Sequence, residues 1–148
     1  MVTKTKFELL EYSECVERLP YTGPLIQIRK FMEGKREGGR IHCHTIAKLN
    51  SDVIPDIKRV AGDYIAEDGT RSDHGFNYDP KRRLYVDSSG DQFGESKIAV
   101  YTLPCKELEV SPGRTFLERY VYNMINLLTG EDILLRYEFL QSQRQDSN

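Results

Sequence analysis

The sequence predicts an α+β fold, with a mostly antiparallel β-sheet built from hairpins and two amphipathic helices packed on one face. Short runs of alternating apolar residues are separated by Pro, Gly and Asp, which is typical of hairpins. Two other segments carry apolar residues at helical spacing. Strands and helices do not alternate strictly, and this argues against a parallel α/β sheet.

The first predicted hairpin joins a strand at 25–32 to a strand at 40–49 through a charged, glycine-rich connection at 33–39. Side chains along a strand alternate between its two faces. His42 and His44 are therefore expected on the same face of the second strand, roughly 6.6 Å apart along the chain.

A helix is predicted next, from a cap at Asn50 or Ser51 to about Ala66, because apolar residues recur there every three or four positions. A shorter hairpin follows, with strands at 76–78 and 84–86. Another strand is predicted over 97–103.

The sequence of the last part of the domain predicts one helix and one strand. Thr115 and Glu118 form a capping box, and Gly130 follows the apolar stripe where a helix C-cap favours glycine. Residues 133–140 predict a central strand that is apolar on both faces. We expect one domain over 1–140 and a frayed tail over 141–148.

Composition indicates a soluble intracellular protein. The 148 residues carry a net charge of −2, so the chain as a whole shows no bias towards polyanions. The three cysteines form no Cys-x-x-Cys pair, which favours a reducing compartment such as the cytoplasm. No segment resembles a signal peptide or a membrane span.

His42 and His44 are the candidate metal ligands. Two imidazoles on one strand face can share a divalent metal, with Asp52 or His74 as a third ligand. Cys43 is expected on the opposite face, in the core. The alternative is that both histidines lie on the solvent face of an edge hairpin, with no cofactor bound.

The His-apolar-His pattern on a strand resembles the HUH endonucleases. The resemblance implies that the two histidines hold a metal that polarises a DNA phosphate, and that Tyr120 or Tyr122 on the last helix attacks the phosphorus. That family commonly places lysine or glutamine near the tyrosine. Here the residues four positions later are Met124 and Asn126.

Basic residues gather at the two predicted hairpin tips. They are candidate contacts to nucleic-acid phosphates, unless they simply solvate turns and protect sheet edges. The residues are Lys35, Arg36 and Arg40 at the first tip, and Lys81, Arg82 and Arg83 at the second.

Other motifs do not form a recognisable catalytic or cofactor site. Asp73 and His74 are adjacent, and we interpret His74 as a solvated loop residue because triad members seldom orient a sequence neighbour. Residues 87–91 lack the spacing of a calcium-binding loop. The chain also contains nine tyrosines, a residue type enriched at protein interfaces.

We therefore expect a non-catalytic, protein-binding or assembly module that self-associates. The alternatives are a metal-dependent enzyme that nicks phosphodiesters through the histidine pair, and a nucleic-acid-binding protein that uses the basic tips.

Overall fold

A computed structural model describes residues 6–8, 19–35, 42–93, 98–111, 120–121, 124 and 131–146. The described part has the α+β architecture that the sequence predicts. Its helices are α1 (Thr22–Gly34), α2 (Cys43–Val53) and α3 (Glu131–Asp146). Its strands are β1 (Lys6–Glu8), β2 (Lys58–Ile65), β3 (Arg71–Asp79), β4 (Leu84–Asp87), β5 (Ala99–Thr102) and β6 (Leu108–Val110), with a 3₁₀ turn at Gly90–Phe93.

The six strands form one antiparallel sheet in the order β1-β5-β4-β3-β2-β6. The predicted hairpin between β3 and β4 is confirmed, with Tyr78 opposite Tyr85. Arg83 closes its turn with a positive φ of 54°. The strand predicted at 97–103 is confirmed as β5.

The three described helices share one core with one face of the sheet. This core combines Leu25 of α1, Ile46 of α2 and Phe139 of α3 with Val86 and Val100 of the sheet. Val86 and Val100 are paired across β4 and β5, so both side chains lie on the helix-facing side.

The opposite face of the sheet carries a second, aromatic cluster. Tyr64, Phe76 and Tyr101 are buried there, and Phe93 of the 3₁₀ turn packs against them. The rings of Tyr64 and Phe93 are stacked, with centroids 4.2 Å apart. The sheet is therefore covered by side chains on both faces.

The first predicted hairpin is wrong, because both of its strands are helices, α1 and α2. The buried side of α1 includes Leu25, Ile28 and Met32, which follow helical spacing. In α2, Ile46 and Leu49 are buried in the same way.

Two further element predictions are also wrong. The helix expected from Asn50 to Ala66 is instead the end of α2 followed by β2, which pairs with both β3 and β6. The strand expected over 133–140 lies within α3. Residues 141–146, expected to fray, continue that helix.

The predicted helix after Thr115 lies largely outside the described residues, although Tyr120, Val121 and Met124 are helical. In the part of the chain that the structure describes, no helix combines the length and apolar character needed to cross a bilayer.

Candidate active site

Cys43 is the first residue of α2, and its side chain is partly buried. The preceding residue, His42, has an extended backbone and makes no side-chain capping bond. The first backbone amides of a helix have no acceptor within the helix, and their dipoles favour negative charge. A thiolate is therefore stabilised at this position.

The start of α2 lies directly against β3. A Cβ atom added at Gly75 would lie 2.6 Å from Nδ1 of His44 and 2.9 Å from its Cα. Only a glycine leaves room for this approach. It brings His44 onto the backbone of β3 at Gly75, the residue that follows His74.

His74 is fully buried and paired with a fully buried carboxylate. Its Nε2 lies 2.8 Å from Oδ2 of Asp87 on β4. The other carboxylate oxygen of Asp87 accepts a 3.1 Å hydrogen bond from the backbone N–H of Ser89. The ring of Phe93 packs edge-on against the imidazole, with centroids 4.9 Å apart. The imidazole is thus fixed by packing and by one carboxylate.

Cys43 and His74 perturb each other's ionisation. Burial raises the pKa of Cys43, but hydrogen bonds and positive charge from His44 and His74 outweigh it and lower the pKa to about 5. Burial lowers the pKa of His74, but the Asp87 carboxylate and the Cys43 sulfur raise it to about 9. Between these values the site holds a thiolate beside an imidazolium.

A buried amide network fixes α2 against the strands that carry His74 and Asp87. The side-chain N–H of Asn50 donates to Asn77 and to the hydroxyl of Ser88, each at 3.0 Å. Asn77 donates in turn to the carbonyl of Ala47 at 2.8 Å. These bonds connect α2 to β3 and to the residue after β4, so the thiol keeps its position relative to the imidazole.

Arg29 of α1 positions the 3₁₀ turn. Its buried guanidinium makes two 2.9 Å bonds to Asp91 and donates to the carbonyl of Ser88 at 2.6 Å. The turn brings the side-chain amide nitrogen of Gln92 to 3.4 Å from Nδ1 of His74. Nδ1 is the ring nitrogen that Asp87 does not contact, so Gln92 and Asp87 approach the imidazole at different nitrogens.

A second histidine, His44, follows Cys43 in α2, lowers the pKa of its thiol and is more exposed than His74. Nε2 of His44 lies 3.5 Å from Oδ2 of Asp73, and the two side chains are 24% and 57% exposed. Cys43 therefore has one buried and one solvent-accessible imidazole as neighbours.

The strand premise for a metal pair is wrong, because His42 precedes α2 and His44 lies within its first turn. The alternation of a strand, which would place both rings on one face, therefore does not apply to this pair. Among the described residues, no group of three or more His, Cys, Asp or Glu side chains is placed to hold a metal ion. The strand geometry that suggested a metal site at His42 and His44 is not found. Metal binding by these two residues stays an untested prediction.

The predicted phosphate-binding residues are only partly described. Lys35 forms an ion pair with Glu138 at 2.6 Å. Arg82 contacts Asp56 at 3.2 Å and Asp79 at 3.0 Å. Lys81 and Arg83 belong to the β3–β4 turn, whereas Arg36 and Arg40 lie outside the described residues. Nucleic-acid binding by these residues stays a prediction.

The predicted tyrosine nucleophiles are not brought to the histidines by any described contact. Tyr120 is helical and 61% exposed. Tyr122 lies outside the described residues.

Sequence analysis missed the three residues that the fold does bring together. The sequence predicts Cys43 in the core, His74 as a solvated loop residue or a third metal ligand, and Asp87 as part of a loop. The available signal was a cysteine at a possible helix start, followed by a histidine and an aspartate further along the chain.

The chain was compared with known proteins in three ways. No protein-family model, no curated protein and no solved structure matches it.

Proposed function

We propose that the protein is an acyl-transfer enzyme with Cys43 as nucleophile, His74 as general acid–base and Asp87 as the residue that orients the imidazole. The observation that carries this proposal is the start of α2 lying against a strand whose buried histidine is paired with a buried carboxylate. Nucleophile, base and orienting acid in this relation are recognised by geometry and role, not by fold.

The reaction begins from the thiolate–imidazolium pair. The Cys43 sulfur attacks the carbonyl carbon of an ester, thioester or amide, and a sulfur–carbon bond forms. His74 donates its proton to the leaving group as the bond to that group breaks, and the acyl group remains on sulfur. Asp87 stabilises the imidazolium before the transfer and holds the ring in one orientation.

Negative charge develops on the carbonyl oxygen during the attack. The amides at the start of α2 are oriented donors near the sulfur, and such donors stabilise a developing oxyanion. The burial of His74 among Phe76 and Phe93 keeps water away from its contact with Asp87 and strengthens that electrostatic interaction.

The test uses the full chain with p-nitrophenyl acetate as acyl donor. We expect rapid release of p-nitrophenolate and an acetyl group on Cys43, located by mass spectrometry of peptides. Cys43→Ser removes the ionisable sulfur and should abolish both signals.

Cys105→Ser is the matched control. Cys105 is also partly buried, but burial raises its pKa to about 11, and its thiol lies 3.3 Å from a carboxylate oxygen of Glu107. This variant should react like the unmodified protein. Release that persists in Cys43→Ser, or an acetyl group found only on other side chains, contradicts the proposal.

Self-association is a second candidate function, and exposed apolar side chains on α3 favour it. Leu134, Tyr137 and Leu140 recur every three residues and are 58%, 60% and 42% exposed. Large exposed apolar patches are typical of interfaces. Sedimentation velocity of the chain and of Tyr137→Glu tests this function. A chain that stays monomeric at high concentration contradicts it.

A further inference from the structure

We propose that His44, supported by Asp73, is the general base that discharges the acyl-enzyme, so that two different histidines serve the two halves of the reaction. The inference rests on the proposed acyl-transfer function and assigns a catalytic residue within the same site. The molecule that accepts the acyl group, water or another small nucleophile, would then approach the thiol from the side of His44.

The two imidazoles differ in their access to solvent. His74 is 0% exposed, and its Nε2 is engaged by a carboxylate that is also 0% exposed. His44 is 24% exposed and lies 3.5 Å from Asp73, which is 57% exposed. Solvent water therefore has direct access to the side chain of His44 and none to that of His74.

Strand β3 fixes the position of His44. Its Cα and ring pack on the bare backbone of Gly75, as the 2.6 Å and 2.9 Å approaches to a hypothetical Cβ show. Asp73, two residues earlier on β3, shares the face of Gly75 and contacts the ring from the same strand. A base that is held in one place can act on a water beside the thioester.

The protons balance over the cycle. During acylation, His74 gives its proton to the leaving group and becomes neutral. During deacylation, His44 takes a proton from water while the water oxygen attacks the thioester carbon. A carbon–oxygen bond forms, the carbon–sulfur bond breaks, and Cys43 leaves as thiolate.

The resting state is then restored through the sulfur. Both imidazoles act on the Cys43 thiol, since His44 and His74 each lower its pKa. The proton on His44 passes to the sulfur and from the sulfur to His74, which regains its charge beside Asp87. No oxidant, metal or further co-reactant takes part.

The experiment isolates the second half-reaction. Full-length protein is acetylated with p-nitrophenyl acetate, excess reagent is removed, and loss of the acetyl group from Cys43 is followed by mass spectrometry. General bases typically contribute about 10²–10⁴-fold. In His44→Gln we therefore expect acetylation to proceed and the acetyl group to be lost at least about 100-fold more slowly.

Two further variants make the result decisive. Asp73→Asn should slow the loss of the acetyl group in the same direction, and it serves as the test if His44→Gln does not fold, as judged by circular dichroism. His42→Gln removes the neighbouring imidazole, which lies outside α2, and should lose the acetyl group at the original rate.

Each outcome has one meaning. Unchanged decay in His44→Gln overturns the inference, and so does a decay that slows equally in His42→Gln. A protein that never acquires an acetyl group on Cys43 contradicts the proposed function itself, and the two failures are therefore distinguishable.

Discussion

Gly75→Ala tests whether the contact between α2 and β3 sets the geometry of the site. The added methyl group would lie 2.6 Å from Nδ1 of His44, about 0.8 Å short of ordinary van der Waals contact at 3.4 Å. It would also lie 2.9 Å from the Cα of His44. Because a Cα atom cannot rotate away as a ring can, the start of α2 has to move.

The size of the effect follows from that displacement. Overpacking of a well-packed region costs about 1–3 kcal/mol, so we expect this loss in the free energy of unfolding. A misplacement of about 1 Å can lower the rate of a chemical step by about 10²-fold. We therefore expect acetylation of Cys43 to slow by about 100-fold in a protein that still folds.

Release of p-nitrophenolate measures the rate, and chemical denaturation measures the stability. Gly34→Ala is the matched control, since a Cβ there meets no atom within 4 Å. It should leave the rate unchanged and alter stability by less than about 1 kcal/mol. A folded Gly75→Ala protein that is acetylated at the original rate refutes the reasoning.

Three further predictions address the electrostatics of the site. With its pKa lowered to about 5, Cys43 should react with dithiodipyridine at a nearly constant rate from pH 6 to 8 and more slowly as pH falls through 5. At pH 6 it should react about sevenfold faster than an unperturbed thiol, because a roughly 300-fold larger thiolate fraction outweighs a roughly 40-fold lower nucleophilicity; a tenfold rise per pH unit, as expected for Cys105, would contradict this. Asp87→Asn leaves the imidazolium without its carboxylate, so an NMR titration should show the pKa of that histidine falling and acetylation should slow by at least about 100-fold; an unchanged titration would show that the carboxylate is not its partner. Arg29→Met removes a buried guanidinium and its charge-assisted bond to the buried carbonyl of Ser88, and should cost about 1.5–3 kcal/mol in denaturant unfolding. Arg71→Met removes only an exposed ion pair and should leave the free energy of unfolding nearly unchanged; equal costs for the two variants would contradict the reasoning.

The part of the fold that sequence reasoning predicted correctly is local. The β3–β4 hairpin follows from the turn chemistry around Pro80 and the aromatic residues on either side, such as Tyr78 and Tyr85. Both the turn and the paired residues lie within a short stretch, so no distant contact is needed to select the structure.

Helices α1 and α2 were missed because their apolar residues fit two periods. The buried side of α1 includes Leu25, Ile28, Arg29 and Met32, and the arginine interrupts the apolar stripe. Arg29 is buried because Asp91 and the carbonyl of Ser88 bind it. Those partners are distant in sequence, so tertiary contacts decide a position that local pattern leaves ambiguous.

The opposite error at β2 has a related cause. Val60, Ala61, Tyr64 and Ile65 fit helical spacing, yet β2 lies between β3 and β6. Ala61 and Tyr64 are both buried although they lie on opposite faces. A strand covered on both faces loses the alternating pattern by which strands are recognised.

The candidate site could be predicted in part. Extending the register that pairs Asn77 with Val86 by one residue sets Phe76 opposite Asp87, and His74 is then diagonal to Asp87 on the same face. Diagonal neighbours in an antiparallel pair are close enough for long side chains to interact. The His–Asp pair could therefore be predicted from a hairpin that the sequence already indicates.

The position of Cys43 could not be predicted, because a strand would direct its sulfur away from the flanking imidazoles. A helix start instead directs the sulfur towards His74 and supplies the dipole that favours a thiolate. The chemistry proposed for His42-Cys43-His44 therefore depends on whether this segment is a strand or a helix.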